Sequence, residues 1–165
     1  LLENFGGHLY AAGLTLKEEN IPAFCERIEK AISGTIIPAM QTPVVDIDAK
    51  LNFSQITPKF LRILKQFQPF GPGNNAPVFL TGNVYDNGTG RKVGAEGLHL
   101  KLELIQESHP YHHISSIAFN MADYFDHIKA GNPIDVCYSI VENYYRGVSN
   151  TQLRVKDLRG REELV

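Results

Sequence analysis

The sequence predicts an α+β protein, with an α/β region followed by a small β-barrel. Between residues 17 and 33, apolar residues recur every three or four positions, as in an amphipathic helix. Between residues 97 and 104 they alternate strictly, as in a strand with one buried face. Residues 67–77, rich in Pro and Gly, separate the two patterns. The 165 residues suffice for one domain or two small ones.

The chain opens with an unusual run of small residues, FGGHLYAAG, at residues 5–13. Gly6 and Gly7 permit backbone conformations that other residues avoid, and they let a ligand approach the main chain. We expect a turn whose N–H groups can hold an anion, with His8 donating a hydrogen bond to a phosphate. An ordinary Gly-Gly turn is the alternative. Residues 14–16 alternate like a short strand.

Two helices are predicted before the Pro- and Gly-rich segment. The first begins near Asn20, because Pro22 fits only in a first turn, and it ends at Gly34. In the second, Thr57 is the cap, and Pro69 marks the end. The apolar stripe of the first helix contains Ile21, Phe24, Cys25, Ile28, Ala31 and Ile32, and that of the second contains Phe60, Leu61, Leu64 and Phe67.

Two groups of residues raise the question of a metal site. Asp46 and Asp48 would share one face of a strand predicted at residues 44–49, where they could bind a divalent cation or simply face solvent. His109, His112 and His113 lie in a segment that we predict to be a loose hairpin turn, without the fixed spacing of metal ligands. Cys25 and Cys137 are far apart and form no CxxC pair. We therefore expect no metal in this chain.

The segment 67–77 is expected to be a packed joint, since its two Phe rings need burial. A domain boundary is the first interpretation, and a loop that contacts nucleotides is the second. Beyond it, about five short strands with Gly-rich turns favour an OB fold. The predicted elements are strands at 78–80, 83–85, 97–104, 112–119, 134–141 and 152–158, a turn at 86–90, a short helix or turn at 121–129 and a bend at 142–147.

The outward positions of this second half combine cations with aromatic rings. Single-stranded nucleic acid needs this combination, because cations track the phosphates and rings stack on the bases. The net charge of −2 requires such a surface to be a local patch. The tyrosines could instead fill the barrel. The candidates are Arg91, Lys92, His99, Lys101, Tyr144, Tyr145, Arg146, Arg154, Lys156 and Arg159.

Several segments together resemble one family. FGGHLYAAG is similar to the GGHxxAAG motif of the DHHA1 domain of DHH-family phosphoesterases. The joint resembles an LxPFGxGNxxPxF element, and GLHLKL, SIAFNMA, DVCY, NYYRG and QLRVKDLR resemble elements of the OB-like domain of RecJ exonucleases. These segments occur in the same order as in the family, and together they cover about residues 5–160. Tyr144 departs from the family, which more often has Glu there, and this puts a direct role for that position in doubt.

The resemblance to RecJ implies a metal-dependent 5′→3′ exonuclease acting on single-stranded DNA in repair and recombination. In that family, manganese or magnesium is held by an N-terminal domain that carries a DHH triplet. This chain has no DHH triplet. It also begins without Met, so we expect a C-terminal fragment that is inactive alone. The implied organisation is part of a DHHA1 domain at 1–70, a connector at 71–77, an OB-like domain at 78–160 and a tail at 161–165.

The resemblance also implies the site residues. Gly6, Gly7 and His8 would contact a phosphate near the scissile bond or the 5′ end, with His8 assisting there. From the outward positions of the second half we expect further contacts with nucleic acid at Arg91, Lys92, His99, Lys101, Tyr145, Arg146, Arg154 and Lys156. The implied partners are single-stranded DNA and single-strand-binding or other repair proteins. The resemblance implies a bacterial cytoplasmic protein, and no run of about 18 apolar residues and no signal-peptide pattern is found in the sequence. Alternatives are a non-catalytic single-strand-binding or protein-docking module, and another DHH-family phosphoesterase.

Overall fold

The computed structural model describes residues 1–145 and 147–160, without the side chains of Pro38 and Tyr145. The chain divides into two compact units, Leu1–Val44 and Val45–Val165. The predicted boundary at 71–77 differs from this division, which falls after Val44. None of the described helices is long and apolar enough to cross a membrane.

The first unit contains a two-stranded sheet and two helices. Strands β1 (Leu2–His8) and β2 (Ala11–Leu16) pair in antiparallel fashion. A 3₁₀ turn leads into helix α1 (Ile21–Ser33), and α2 (Pro38–Gln41) follows. The predicted limits of α1 are confirmed, since Asn20 is its N-cap and Gly34 its C-cap. No described side chain of this unit is buried, so the apolar stripe of α1 remains largely exposed.

The second unit is mostly sheet. Thr57 caps helix α3 as predicted, because its side chain accepts the N–H of Phe60 at 3.2 Å. The helix ends at Lys65, earlier than expected. The elements of this unit are β3 (Ala49–Lys50), α3 (Pro58–Lys65), β4 (Phe79–Asp86), β5 (Arg91–Val93), β6 (His99–Gln106), β7 (His109–Ala118), α4 (Phe125–Lys129), β8 (Ile134–Tyr145) and β9 (Val148–Gly160), with 3₁₀ turns at Phe53–Gln55 and Ala122–Tyr124.

The strand pairings of the second unit return to their starting point. The described strands form one sheet in the order β3-β4-β8-β9-β7-β6-β5, and β4 also pairs with β6. Five strands, β4, β8, β9, β7 and β6, therefore each pair with two others in a ring. The pairs β3–β4 and β7–β9 are parallel, and the remaining pairs are antiparallel.

The core lies inside this ring. Leu100, Leu102 and Leu104 of β6 are completely buried, as their alternation predicted. Leu98, predicted to face the core, is 47% exposed, because it precedes the first residue of the strand. Ala122 and Ile128 of the short helical segment point inward, as expected.

The segment before the connector belongs to the same core. Phe53 is completely buried among the core residues, and its N–H donates to the side-chain oxygen of the buried Gln106 at 3.0 Å. Phe60, Leu61 and Leu64 of α3 pack against the same cluster. This explains why the division falls earlier than the composition suggested: apolar burial, and not the prolines and glycines, decides where the unit begins.

The joint at residues 67–77 is held together by hydrogen bonds from one side chain, that of Asn74. Asn74 donates to the carbonyl oxygens of Phe67 and Pro69, both at 2.9 Å, and the Gln68–Pro69 peptide is cis. The expected burial of both aromatic rings is wrong for Phe67, which is 60% exposed, whereas Phe70 is half-buried. Hydrogen bonds to the backbone therefore replace ring burial as the source of order in this segment.

Four predicted local structures differ from those observed. Residues 44–48 form no strand, and only Ala49–Lys50 pairs with β4. The strands predicted at 78–80 and 83–85 are one strand, irregular at Asn83, whose φ is +58°. Residues 109–113 belong to β7, and the turn lies before them. The bend predicted at 142–147 is wrong for residues 142–145, because these residues belong to β8, which pairs with β9 in a long hairpin.

Candidate nucleic-acid interface

Three predicted cations lie in one row across the outer side of four strands. In register, Arg91 of β5 lies opposite Lys101 of β6, Lys101 opposite Ile117 of β7, and Ile117 opposite Arg154 of β9. Their sequence neighbours in β6 and β9, such as Leu100, point into the core. The pleat therefore turns Arg91, Lys101 and Arg154 to the same outer side. We call this surface of β5, β6, β7 and β9 the outer face.

The strand that carries Arg91 is held by a carboxylate at the end of β4. Asp86 Oδ2 accepts the N–H groups of Gly88 and Gly90, both at 2.8 Å, and Oδ1 accepts the N–H of Glu103 at 3.0 Å. A Cβ on Gly90 would lie 2.9 Å from this carboxylate, so glycine is needed at that position. Asp86 thereby ties the loop to β6 and sets the position of β5.

An exposed aromatic ring adjoins the row of cations. The Arg154 guanidinium carbon lies 5.7 Å from the Phe119 ring centroid, within the range of a cation–π contact. The His99 ring meets Phe119 edge-on, with centroids 5.1 Å apart and planes at 71°. His99 Nδ1 accepts the N–H of Asn120 at 3.1 Å, which orients the imidazole. The predicted residues His99 and Arg154 thus both contact Phe119 on the outer face.

Phe119 is the residue that sequence reasoning missed. It lies in the strand predicted at 112–119 and is not among the outward candidates. The signal was present: Ile114, Ser116 and Ala118 are buried, so the alternation of β7, continued past Ala118, sends Phe119 outward. Ser115 and Gln152 are two further polar residues of the outer face that the sequence did not single out.

Among the described residues, no carboxylate forms an ion pair with the cations of the outer face. Within residues 1–145 and 147–160, the ion pair that forms is Lys65–Glu142, away from the row. Lys101 donates to Ser115 Oγ. Burial lowers the pKa of Lys101 below its ordinary value, Glu103 opposes this change, and Arg91 adds to it. A nearby phosphate would relieve the repulsion between Lys101 and Arg91.

A polar cleft of about 640 Å³ continues the outer face. Lys101, Glu103, Ser115 and Gln152 line it on the side of the row, and Asn143 and Asn150 line it from the β8–β9 hairpin. His112 and His113 also reach the cleft, so the outer face extends beyond the row of cations.

Other predicted residues lie elsewhere. Lys92 pairs in register with the buried Leu100, so it points away from the outer face, and its ammonium lies 5.3 Å from the Phe125 ring centroid. Lys156 is exposed on β9, two residues beyond Arg154. Tyr144 is 74% exposed, so it does not fill the core. Arg146 and the side chain of Tyr145 lie outside the described residues. Arg159 is exposed opposite Asp135.

The Gly-Gly-His motif is part of a strand and not of a turn. Gly6 lies opposite Gly13, Gly7 opposite Ala12 and His8 opposite Ala11. Neither Gly6 nor Gly7 has a positive φ, so the predicted cradle of successive N–H groups is not formed by these glycines. The turn follows at Leu9 and Tyr10.

The two glycines of β1 differ in their surroundings. A Cβ on Gly7 would lie 2.8 Å from the Ala11 carbonyl oxygen, so this glycine allows the strands to approach closely. A Cβ on Gly6 would meet nothing within 4 Å. His8 is exposed, and its Nδ1 accepts the N–H of Tyr10 at 3.2 Å. A neutral imidazole in this arrangement carries its proton on Nε2, which can donate to an anion.

The two groups considered as metal ligands have other surroundings. Asp48 Oδ2 accepts the N–H of Val78 at 2.8 Å and so holds the start of β4. His112 and His113 lie on β7 at the cleft. In the part of the chain that the structure describes, no three His, Cys, Asp or Glu side chains lie together in a metal-binding arrangement.

A family model matches most of the second unit, and relatives of known activity match nearly the whole chain. The family model described as RecJ OB domain matches residues 47–157, which is most of the second unit. The single-stranded-DNA-specific exonuclease RecJ of Bacillus subtilis is 29% identical over 157 residues, 95% of this chain and 20% of the relative. The exonuclease of the same name from Thermus thermophilus is 27% identical over 164 residues, 99% of this chain and 22% of the relative.

A solved structure is also similar. The crystal structure of RecJ in complex with Mn²⁺ from Thermus thermophilus superposes with a TM-score of 0.69 at 26% identity, over 96% of this chain and 22% of that chain. The chain thus spans about a fifth of the length of the curated relatives that it matches.

Proposed function

Because the chain belongs to the RecJ OB domain family, we propose that its second unit binds single-stranded DNA as the substrate-binding part of a RecJ-like exonuclease. The observation that carries the proposal is the outer face, where Arg91, Lys101 and Arg154 form a row beside the exposed ring of Phe119, and where no described carboxylate forms an ion pair with them. Cations beside a ring suit phosphates and bases of an unpaired strand.

The topology supports this assignment. We propose that the ring of five paired strands is an OB-type barrel, in which β4, β6, β7, β8 and β9 are the five strands in chain order. In such barrels the face of the second and third strands binds oligonucleotides. These strands are β6, which carries His99 and Lys101, and β7, which ends one residue before Phe119.

The first unit would contribute a phosphate contact. We propose that it is part of a DHHA1 domain completed by residues outside this chain, because its apolar stripe is exposed and none of its described side chains is buried. His8, through Nε2, and the open main chain at Gly6 would meet a phosphate of the DNA. The flat strand surface at Gly6 and Gly13, with no Cβ on either residue, would let a phosphate approach closely.

We assign the hydrolytic chemistry to other parts of the larger enzyme. The described side chains offer no cluster that suits manganese or magnesium, so no step of hydrolysis is derived from this chain. In the larger enzyme the metal would activate water for attack on the phosphodiester, and this chain would bind and orient the strand. The proposal implies a bacterial cytoplasmic protein of DNA repair and recombination, with single-strand-binding or other repair proteins as further partners.

The test is fluorescence-anisotropy titration of this chain with labelled single-stranded and duplex DNA across a salt series. We expect a preference for single strands and affinity that falls with salt. Substituting Arg91→Ala and Arg154→Ala together should reduce the slope of log K against log salt by about 0.7 per lost phosphate contact. The matched control, Arg27→Ala with Lys30→Ala, removes the same charge from α1 and should leave the slope unchanged.

Two results would contradict the proposal. The first is an absence of binding even at low salt. The second is an equal change of slope in the control pair, which would show that net charge and not the outer face governs association.

The role of His8 needs the larger enzyme. His8→Ala should reduce the turnover of an exonuclease that contains this chain far more than its affinity for DNA. Equal losses of turnover and affinity would place His8 away from the reacting phosphate.

A further inference from the structure

We propose that Phe119 is the base-stacking residue of the outer face, and that His99 and Arg154 are positioning residues that hold its ring. This inference rests on the proposed function and deepens it, because it names the part of the DNA that is recognised at one position. The ligand is the π-face of an unpaired base, of any sequence, next to phosphates held by the row of cations.

Phe119 is a large apolar residue that the fold leaves partly exposed. The ring is 45% exposed, although the strand that precedes it buries three residues on its inner side. Asn120 follows with φ of +56°, a left-handed conformation that turns the chain away immediately after Phe119. The ring thus stands at the end of β7 and is open to solvent where a ligand could reach it.

The ring is already oriented before any ligand arrives. His99 packs edge-on against it, and the N–H of Asn120 fixes that imidazole through Nδ1. Arg154 lies over the ring from β9. A side chain held in its binding conformation loses little rotamer freedom on association, and this favours tight stacking.

The surroundings of Phe119 fit a nucleotide better than a protein side chain. Arg154 both contacts the ring and belongs to the row with Lys101 and Arg91, so a base on Phe119 would have its phosphates next to these cations. Stacking on a ring tolerates every base, whereas a hydrogen-bonding group would select among them. Phe119 therefore suits a strand that passes through without regard to sequence.

Another exposed ring provides a contrast. Tyr111 is 95% exposed at the start of β7, and among the described residues it has neither a ring partner nor a cation over it. A free ring of this kind has no neighbour that orients it. It is thus a control ring of similar size, more exposed to solvent than Phe119 and without the neighbours that orient Phe119.

The experiment uses the absence of Trp from the sequence. Phe119→Trp places a single indole at the site, and a base stacked on it should quench its fluorescence. The titrants are oligo-dT and an abasic oligonucleotide of the same length, which keeps the phosphates but lacks bases. We expect quenching by oligo-dT and little by the abasic strand. Tyr111→Trp should respond to neither.

Affinity provides the second measurement. Phe119→Ala should weaken binding of oligo-dT by about 5- to 150-fold, the range for loss of one stacked base. The abasic strand should bind this variant and the unsubstituted chain equally. Phe119→Leu should behave like the alanine variant, since it keeps apolar bulk without a π-face. Tyr111→Ala should change the affinity less than twofold, and matching urea midpoints would show that all variants are folded.

The outcomes separate this inference from the proposed function. Unchanged indole emission at saturating oligo-dT, or equal weakening for oligo-dT and the abasic strand, would overturn the role of Phe119 while single-strand binding stands. If the unsubstituted chain binds neither strand, the proposed function fails and takes this inference with it.

Discussion

The two units reach order in different ways. The second unit buries an apolar cluster completely, with Phe53, Leu100, Leu102 and Tyr138 inside it. The first unit has an equally clear helical stripe on α1, yet no described side chain there is buried. An amphipathic pattern therefore predicts the helix but not what covers it, because burial depends on a second surface.

This difference affects the two candidate sites. The outer face rests on strands whose inner sides form the core, so its cations are held by packing that this chain supplies. His8 lies on a hairpin of two strands without such a core, and an isolated hairpin is marginally stable in water. The phosphate contact proposed at His8 is therefore more sensitive to its surroundings than the row at Lys101.

The largest expected effect separates the two units directly. Phe53→Ala removes a completely buried ring and should lower the free energy of unfolding of the second unit by about 3–5 kcal/mol. Phe5→Ala removes a side chain of the first unit that is 77% exposed, and it should change the free energy of unfolding by less than about 0.5 kcal/mol. Urea unfolding followed by near-ultraviolet circular dichroism measures both. Similar shifts would mean that the units are not energetically distinct.

A smaller effect should appear at alkaline pH in the second unit. Burial raises the pKa of Tyr138 to about 12, above its ordinary value of 10, and its hydroxyl lies 2.8 Å from Thr81 Oγ1. Thr81 Oγ1 in turn donates to the Leu51 carbonyl at 2.7 Å. Because the neutral phenol is favoured in the fold, its contribution is complete below pH 10 and is lost as pH rises through 12. About 2–3 kcal/mol should be lost.

The control for this pH effect is Tyr138→Phe, which has no ionisable group at that position. The difference between the unfolding free energies of the two proteins should narrow above pH 10. A constant difference up to pH 12 would show that Tyr138 does not carry the effect.

The smallest effect concerns the hairpin of the first unit. Gly7→Ala places a Cβ against the backbone of Ala11 and Ala12, so the strands must separate, at about 1–3 kcal/mol. Faster amide exchange of Phe5 and Leu14, which lie opposite each other, would report this change. Gly6→Ala, which meets open space, should leave exchange nearly unchanged. Equal acceleration by both would place the sensitivity of the hairpin in backbone freedom and not in close approach.

Much of the fold was predictable where one face is buried. The alternation of β6 and the Thr57 cap of α3 were both correct, because core contact and capping leave periodic or local signals. The bend predicted at 142–147 was wrong, since β8 and β9 extend past the core, where residues on both faces are exposed and alternation disappears. The role of Phe53 was missed, because its contacts lie far away in sequence.

The site was predictable in part for the same reason. Arg91, His99, Lys101 and Arg154 follow from alternation along their strands, and the structure brings them together. Lys92 is predicted to share a surface with Arg91, but the pleat sends adjacent residues of a strand to opposite sides. Phe119 lies just beyond the last residue of β7, where the pattern ends and its continuation is easily overlooked.

The parallel pairing of β7 with β9 also determines when the outer face comes into existence during folding. The β6–β7 and β8–β9 hairpins join neighbouring segments and can form early, whereas Ile117 meets Arg154 only after a long loop has closed. Lys101 and Arg154 stand on opposite sides of that junction. In a chain whose two hairpins have formed but have not yet paired, Lys101 and Arg154 would lie on separate hairpins. The row of cations along which a DNA strand could bind would then be interrupted. Under the proposed function, affinity for DNA is acquired at ring closure, and its appearance in a refolding experiment would time that step.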